Sequence, residues 1–322
     1  MTRKPVAHAV RFLLAAALAT TACGREPAAA GMRVGLITPG SIADAAWNSG
    51  AYRGLELIRD SVGAAISHVE ARTPAEQEQA LRTYASERYD LVIAHGHEFQ
   101  RMAEAVTADF PKTVIVVTSG ERAVGSVAPV VFRLHEATYL AGILAGGLTR
   151  SGKLGFIGGV EIPPVKLAYE GWAAGARSVN PAIDSRFTYL NNWDDAAAGR
   201  EAALALVALG VDVFHHNADA AALGLFQVAK ERPGILVFGA NQDQSALAPD
   251  AVPGSAVIDL PRAFLAVARE VKAGTFTPRV LDLGLASGVV RFDLNPAFAS
   301  RLDPALLARV RAAADSIMKA AP

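Results

Sequence analysis

The most constraining feature is an alternation of strand-length apolar runs with stretches of helical period, which runs once, then starts again. The first series of apolar runs falls at residues 33–37, 66–70, 91–94, 113–118 and 130–133. The second falls at 154–157, 187–190, 211–215 and 235–239, with helical segments near 165–179, 196–209 and 222–230. Continuous apolar strands must be buried on both faces, so each series implies a parallel sheet covered by helices on both sides. Thr73-Pro74-Ala75-Glu76 adds a helix start in which Thr73 caps, Pro74 opens the first turn and Glu76 completes a capping box. Two series of four or five strands fit two Rossmann-like lobes better than one oversized sheet. A strand at 256–259, a helix at 262–272 and a strand pair around 280–292 follow after the second lobe is complete. They are expected to cross back, giving a hinge of several chain segments. The expected division is a first lobe of 32–133 plus 257–279, a second lobe of 134–256 plus 280–300, and a closing amphipathic helix in 301–322.

The N-terminus carries a different signal. Arg3, Lys4 and Arg11 flank a short apolar run, 12–19, which ends in small residues and Cys23, the single cysteine of the chain. Basic flank, short apolar core and small-residue exit are the parts of a secretory signal peptide, expected over 1–23. The run is far below the roughly 20 residues that span a bilayer. Thr20-Thr21-Ala22-Cys23 is similar to a bacterial lipobox, which would make Cys23 a lipidated residue, with 24–31 as the tether. Ala17-Leu18-Ala19 offers an alternative cleavage site that would release a soluble periplasmic protein.

Composition narrows the function. Thirty-one basic residues balance thirty-one acidic ones, so there is no basic surplus for gripping nucleic acid. With one cysteine, internal disulfides and cysteine-ligated metals are excluded. No G-x-S-x-G elbow, phosphate-binding G-x-x-x-x-G-K-[ST] loop or G-x-G-x-x-G after the first strand is present.

In open α/β sheets, ligands bind at the carboxyl ends of strands, so the loops there are the candidates. After the first strand, Trp47 can stack on a ring while Asn48 and Asp44 bond its edge. After the third comes His95-Gly96-His97-Glu98-Phe99. Histidines two apart beside a glutamate suggest a metal, but no further ligands are legible. His97, Glu98 and Phe99, with Ser119 after the fourth strand, are therefore read as solute-binding groups, with no metal and no cofactor. In the second lobe the candidates are Trp193, Asn217, Asp219 and Asn241. Asp194-Asp195 reads as helix capping rather than as a catalytic carboxylate pair.

These loops carry a resemblance. Ala43-Asp44-Ala45-Ala46-Trp47-Asn48, the stretch Phe132-Arg133-Leu134-His135-Glu136-Ala137-Thr138-Tyr139-Leu140-Ala141-Gly142, Gly155-Phe156-Ile157-Gly158-Gly159 and Trp193-Asp194-Asp195 together resemble the basic membrane protein (Bmp) family. This is a family of ABC-transporter substrate-binding lipoproteins whose best-understood members bind purine nucleosides. The resemblance implies the type I periplasmic-binding-protein fold, a small-molecule solute, an ABC permease as partner, a membrane lipid anchor and a monomer in the cell envelope, outside the cytoplasm. It also implies that Trp47 stands for the family's base-stacking Phe, with Asn48 beside it. Three positions depart from the family pattern: Ala43 replaces the first Asp of a pair, Asn241 an Asp, and Ile258 a Lys. The family's acids and Lys grip ribose and base, so the expected ligand broadens to a nucleoside-like or other small aromatic or polar solute. Two alternatives share the same lobes: a ligand sensor for a membrane signalling partner, and an exported nucleoside-processing enzyme using Asp44, Glu98 or Asp194.

Overall fold

Two six-stranded sheets form the framework of the structure, a computed structural model that describes residues 1–2 and 31–321. Cys23 and the expected leader and tether lie outside the described residues, apart from their extreme ends.

The first lobe is built from β1 (Arg33–Thr38), α1 (Trp47–Val62), β2 (Ala65–Glu70), α2 (Pro74–Ser86), β3 (Leu91–Ala94), α3 (Gln100–Asp109), β4 (Val114–Thr118) and β5 (Val127–Phe132). The second contains α4 (Leu134–Leu148), β6 (Lys153–Gly158), α5 (Pro163–Val179), β7 (Asp184–Tyr189), α6 (Ala196–Ala208), β8 (Val213–Asn217), α7 (Leu223–Glu231), β9 (Leu236–Asn241) and β10 (Gly254–Ile258). The chain then runs through α8 (Leu260–Lys272), β11 (Leu281–Leu283), β12 (Val290–Leu294), the short α9 (Pro296–Ala299) and α10 (Pro304–Ala320).

Strand order is β11-β5-β4-β3-β1-β2 in one sheet and β12-β10-β9-β8-β6-β7 in the other. Every pairing is parallel except that of β12 with β10. The central strands β3, β8 and β10 are buried along their whole length, as both-face coverage requires. The edge strands β2 and β7 are half-exposed. At α2, the Thr73 hydroxyl accepts from the Glu76 N–H at 3.3 Å and the Glu76 carboxylate accepts from the Thr73 N–H at 2.9 Å, which closes the capping box.

The end of the chain corrects one expectation. The segments expected to pair around 280–292 do not pair with each other. β11 adds to β5 in the first sheet, whereas β12 adds to β10 in the second. Residues 281–283 therefore belong to the first lobe rather than the second. The helix α8 also returns to the first lobe: Phe264 fills the space over Gly54 of α1, and Lys272 Nζ donates to the Val62 carbonyl at 2.6 Å.

Three segments thus cross between the lobes, at 132–134, 258–260 and 283–290. They are bonded to one another. Arg133 forms a two-pronged pair with Asp282 at 2.7 and 2.6 Å, and the Glu136 carboxylate accepts from the Leu285 N–H at 2.7 Å. The Asp259 N–H donates to the Val289 carbonyl at 2.7 Å, and Arg291 bonds the Asp259 carboxylate at 2.8 Å.

In the second lobe, α4 and α5 approach until backbone meets backbone. A Cβ on Gly142 would lie 2.2 Å from the Trp172 carbonyl oxygen, and one on Gly175 would lie 2.0 Å from that of Tyr139. Such contact is open only to glycine. On its other side α4 carries α10, whose Leu306 rests over Gly147.

Candidate functional site: the cleft between the lobes

The carboxyl ends of both sheets face one cleft, which encloses about 110 Å³, several times the space one water needs. The loops that shape it hold unusual backbone. Of six non-glycine residues with left-handed φ among the described residues, five lie at or after strand ends on this side: Ala45, Ser119, Asn191, Asp219 and Asn241, at 54°, 56°, 57°, 43° and 65°. Such conformations persist only where surrounding contacts enforce them, and they cluster at binding sites.

The first lobe contributes Trp47, Asn48, His97, Glu98 and Ser119 to the lining. The Trp47 indole stacks on the His95 ring at 4.1 Å and meets Phe132 edge-on at 5.9 Å. His95 is fully buried and positions this platform. Its Nε2–H donates to the Trp47 carbonyl at 3.2 Å, and its Nδ1 accepts from the Thr118 hydroxyl at 3.1 Å. Both ring nitrogens are occupied, which leaves none for a metal. His97 Nδ1–H donates to the Ser119 carbonyl at 3.0 Å. Among the described residues, no group of three or more potential ligands converges as a metal site would require. Glu98 keeps an exposed side, but desolvation at the cleft wall raises its carboxyl above the usual range.

The second lobe contributes Trp193, Asp194, Asn217, Asp219 and Asn241. Trp193 lies flat over Gly159, where a Cβ would come within 2.1 Å of the indole. Asn241 donates its amide to the Asp219 carboxylate at 3.2 Å. Burial raises the Asp219 carboxyl well above the ordinary carboxylate range. The Asp44 charge adds to that, while hydrogen bonds from Asn241 and the Trp47 backbone oppose it.

Nine of the eleven expected residues therefore come together, and two do not. Asp44 is turned away from the solute space and caps α1, its carboxylate accepting from the N–H groups of Ala46, Asn48 and Ser49 at 3.0, 2.7 and 2.9 Å. Phe99 is fully buried in the first-lobe core beside Ala103 and Val106, because the short turn at 97–99 rotates it inward. The acid pair Asp194-Asp195 divides its work. Asp195 caps α6, accepting from Ala197 and Ala198 at 2.9 and 3.0 Å, whereas Asp194 lines the cleft and lies 3.7 Å from Arg72 of the first lobe.

The floor and one wall are apolar and, apart from Ile258, were not foreseen. Phe132, Leu134 and Ile258 sit where the chain crosses between lobes, and Ile162, Pro164 and Val165 lead into α5. As strand ends and helix starts they read as core in sequence. Two further residues bridge the lobes. Gln242 donates to the Ala46 carbonyl and to the Ser49 hydroxyl at 2.6 Å, and Gln244 donates to the Ala45 carbonyl at 3.3 Å.

Comparison with known proteins settles the family. The model of the Bmp family, described as ABC transporter substrate-binding protein PnrA-like, matches residues 32–317. The chain belongs to the Bmp family. Basic membrane protein A2 of Borrelia garinii subsp. bavariensis is 30% identical over 273 residues, covering 82% of this chain and 80% of that protein. Among solved structures, an ABC transporter solute-binding protein of Aeropyrum pernix K1 superposes with a TM-score of 0.83 at 20% identity, covering 89% and 91% of the two chains. One from Conexibacter woesei gives 0.70 at 24% identity, covering 89% and 96%. At such identities the structural likeness establishes the fold alone. As a Bmp protein, this chain is the substrate-binding component of an ABC transporter, a class that works outside the cytoplasm. No described helix of this Bmp protein is long and apolar enough to cross a membrane.

Three buried imidazoles make its stability pH-dependent. Burial lowers His95 and His215 to about 3 and His216 to about 4. Unfolded imidazoles take up protons near about 6.5, so between these limits the unfolded state binds more protons, and stability falls as pH drops. Asp219 and Glu98, raised in the fold, act the other way: their contribution is present at low pH and fades as pH rises. His68 and His135 are lowered by burial as well and add to the imidazole side. Urea unfolding at about pH 5 should therefore show about 2 kcal/mol less stability than at about pH 7.5. Equal midpoints would mean that these rings are not held neutral inside.

Proposed function

We propose that this chain captures a nucleoside-like aromatic solute between its lobes and delivers it to an ABC permease, with no chemistry performed on it. In this reading it acts as a monomer tethered to the membrane through lipidated Cys23. One observation carries the ligand reading. Asn48 and Asn217 line the cleft at 6% and 9% exposure, and the buried Asn48 Oδ1 has no hydrogen-bond partner among the described residues. Buried amides without partners are costly, and a solute that bonds them removes the cost. Trp47 and Trp193, one from each lobe, supply the flat surfaces that a ring would meet. Asn241 and Ile258, where the family carries charges, both line the cleft, so the solute is expected to be gripped differently from a purine nucleoside in those relatives.

Calorimetric titration of the mature protein with inosine, guanosine and adenosine tests the reading. Saturable heat from at least one is expected, with the nucleoside recovered intact. Absence of heat from all three would reject a nucleoside, and release of free base would reject capture without chemistry.

A further inference from the structure

We propose that the cleft selects a flat aromatic solute bearing a positive charge and rejects anionic forms of the same ring, because Glu98 and Asp219 line it with no lysine or arginine among its lining residues. The inference rests on the reading of the cleft as a solute site and adds the charge of the solute.

His97 is the sole basic residue in the lining: its Nδ1–H donates to the Ser119 carbonyl, its Nε2 lies 3.8 Å from Glu121, and it opposes the Glu98 charge only when protonated. Asp194 has Arg72 at 3.7 Å on the rim, and that guanidinium also holds Glu70 at 2.6 Å. Glu98 and Asp219 are different: among the described residues neither pairs with an arginine or lysine. The charged groups that act on Asp219 are Asp44, before α1, and Asp194, after β7, and both are negative. Its stabilising contacts are neutral, the Asn241 amide and the Trp47 backbone. A buried carboxyl among carboxylates needs a proton or a cation. The unpartnered Oδ1 of Asn48, on a side chain 6% exposed and in the same lining, is an independent sign that a ligand completes this wall. Trp47, Phe132 and Trp193 offer aromatic surface, which attracts a cation and does nothing for a phosphate.

In the empty cleft, burial raises the Asp219 carboxyl and so disfavours its charge, and a cation beside it would favour the carboxylate and displace any bound proton to solvent. Affinity for the cation should therefore increase as pH rises, whereas affinity for a neutral analogue should not.

Two matched probe sets test this by calorimetry: adenosine, 1-methyladenosine and adenosine 5′-monophosphate; and nicotinamide, 1-methylnicotinamide and nicotinate. In at least one set the methylated cation should bind about 10-fold or more tightly than its neutral parent, with the anion undetectable. Asp219→Asn should remove that preference, bringing the affinities for cation and neutral parent to within about 3-fold of each other. Glu98→Gln, on a partly exposed side chain, gives a second reading should Asp219→Asn fail to fold, and should reduce the preference. Cation binding confined to the nicotinamide set would reject the nucleoside and keep the charge rule. Nucleosides that bind irrespective of charge would overturn the charge rule and keep the nucleoside. Binding of neither cation, or an undiminished preference in the folded variants, also overturns it.

Discussion

Replacing Trp47 by alanine is expected to weaken solute binding about 10- to 100-fold, because a ring stacked on an aromatic platform gains about 1–3 kcal/mol. The platform is layered. His95 lies under the indole at 4.1 Å and is locked by Trp47 and Thr118, so the indole is held in place before a solute arrives. Trp47→Phe should retain most of the affinity, since a smaller ring keeps the stacking face. Calorimetry with the tightest-binding solute, beside a thermal melt of each variant, separates loss of the platform from loss of the fold. A stable Trp47→Ala protein with wild-type affinity would remove Trp47 from the site.

The largest stability effect is expected far from the cleft, at Gly175. A single added methyl there would meet the Tyr139 carbonyl at 2.0 Å, and backbone in a packed helix pair cannot move aside as a side-chain tip can. Gly175→Ala should cost about 3 kcal/mol, read as a lower urea midpoint at unchanged slope. Gly274→Ala is an informative contrast, because a Cβ there meets nothing within 4 Å. Its positive φ of 67° is relaxed by glycine and strained by alanine, so any loss there reports backbone strain alone. A midpoint unchanged in Gly175→Ala would mean that α4 and α5 do not pack as closely as described.

Much of this architecture was legible because burial on both faces writes itself as uninterrupted apolar runs. The central strands β3, β8 and β10 announce themselves in this way, and the Thr73–Glu76 box announces α2. The three-residue β11 does not. Its residues are half-exposed, and its allegiance to β5 is decided by a crossover that no local pattern encodes. The same limit applies in the cleft. Polar residues after strands were visible as candidates, because turns and sites draw on the same residue types. Whether a given one faces the solute depends on a rotation of a single residue. Trp47 and Asp44 sit three apart, yet one lines the cleft and the other caps the helix. Phe132 and Leu134 escaped notice because an apolar residue at a strand end looks the same whether it faces core or ligand, and Ile258 stood out only as the place of a family Lys.

Those three residues sit on the crossings that join the lobes, which gives the floor of the cleft a second meaning. Three bonded tethers are expected to resist twist and sliding, which would leave a swing about one axle as the opening motion. A solute resting on that axle feels little of the swing, whereas residues at the rim travel furthest. The depth at which a group touches the solute thus determines its kinetic role: contacts at the floor admit the guest, and contacts at the rim set how long it stays.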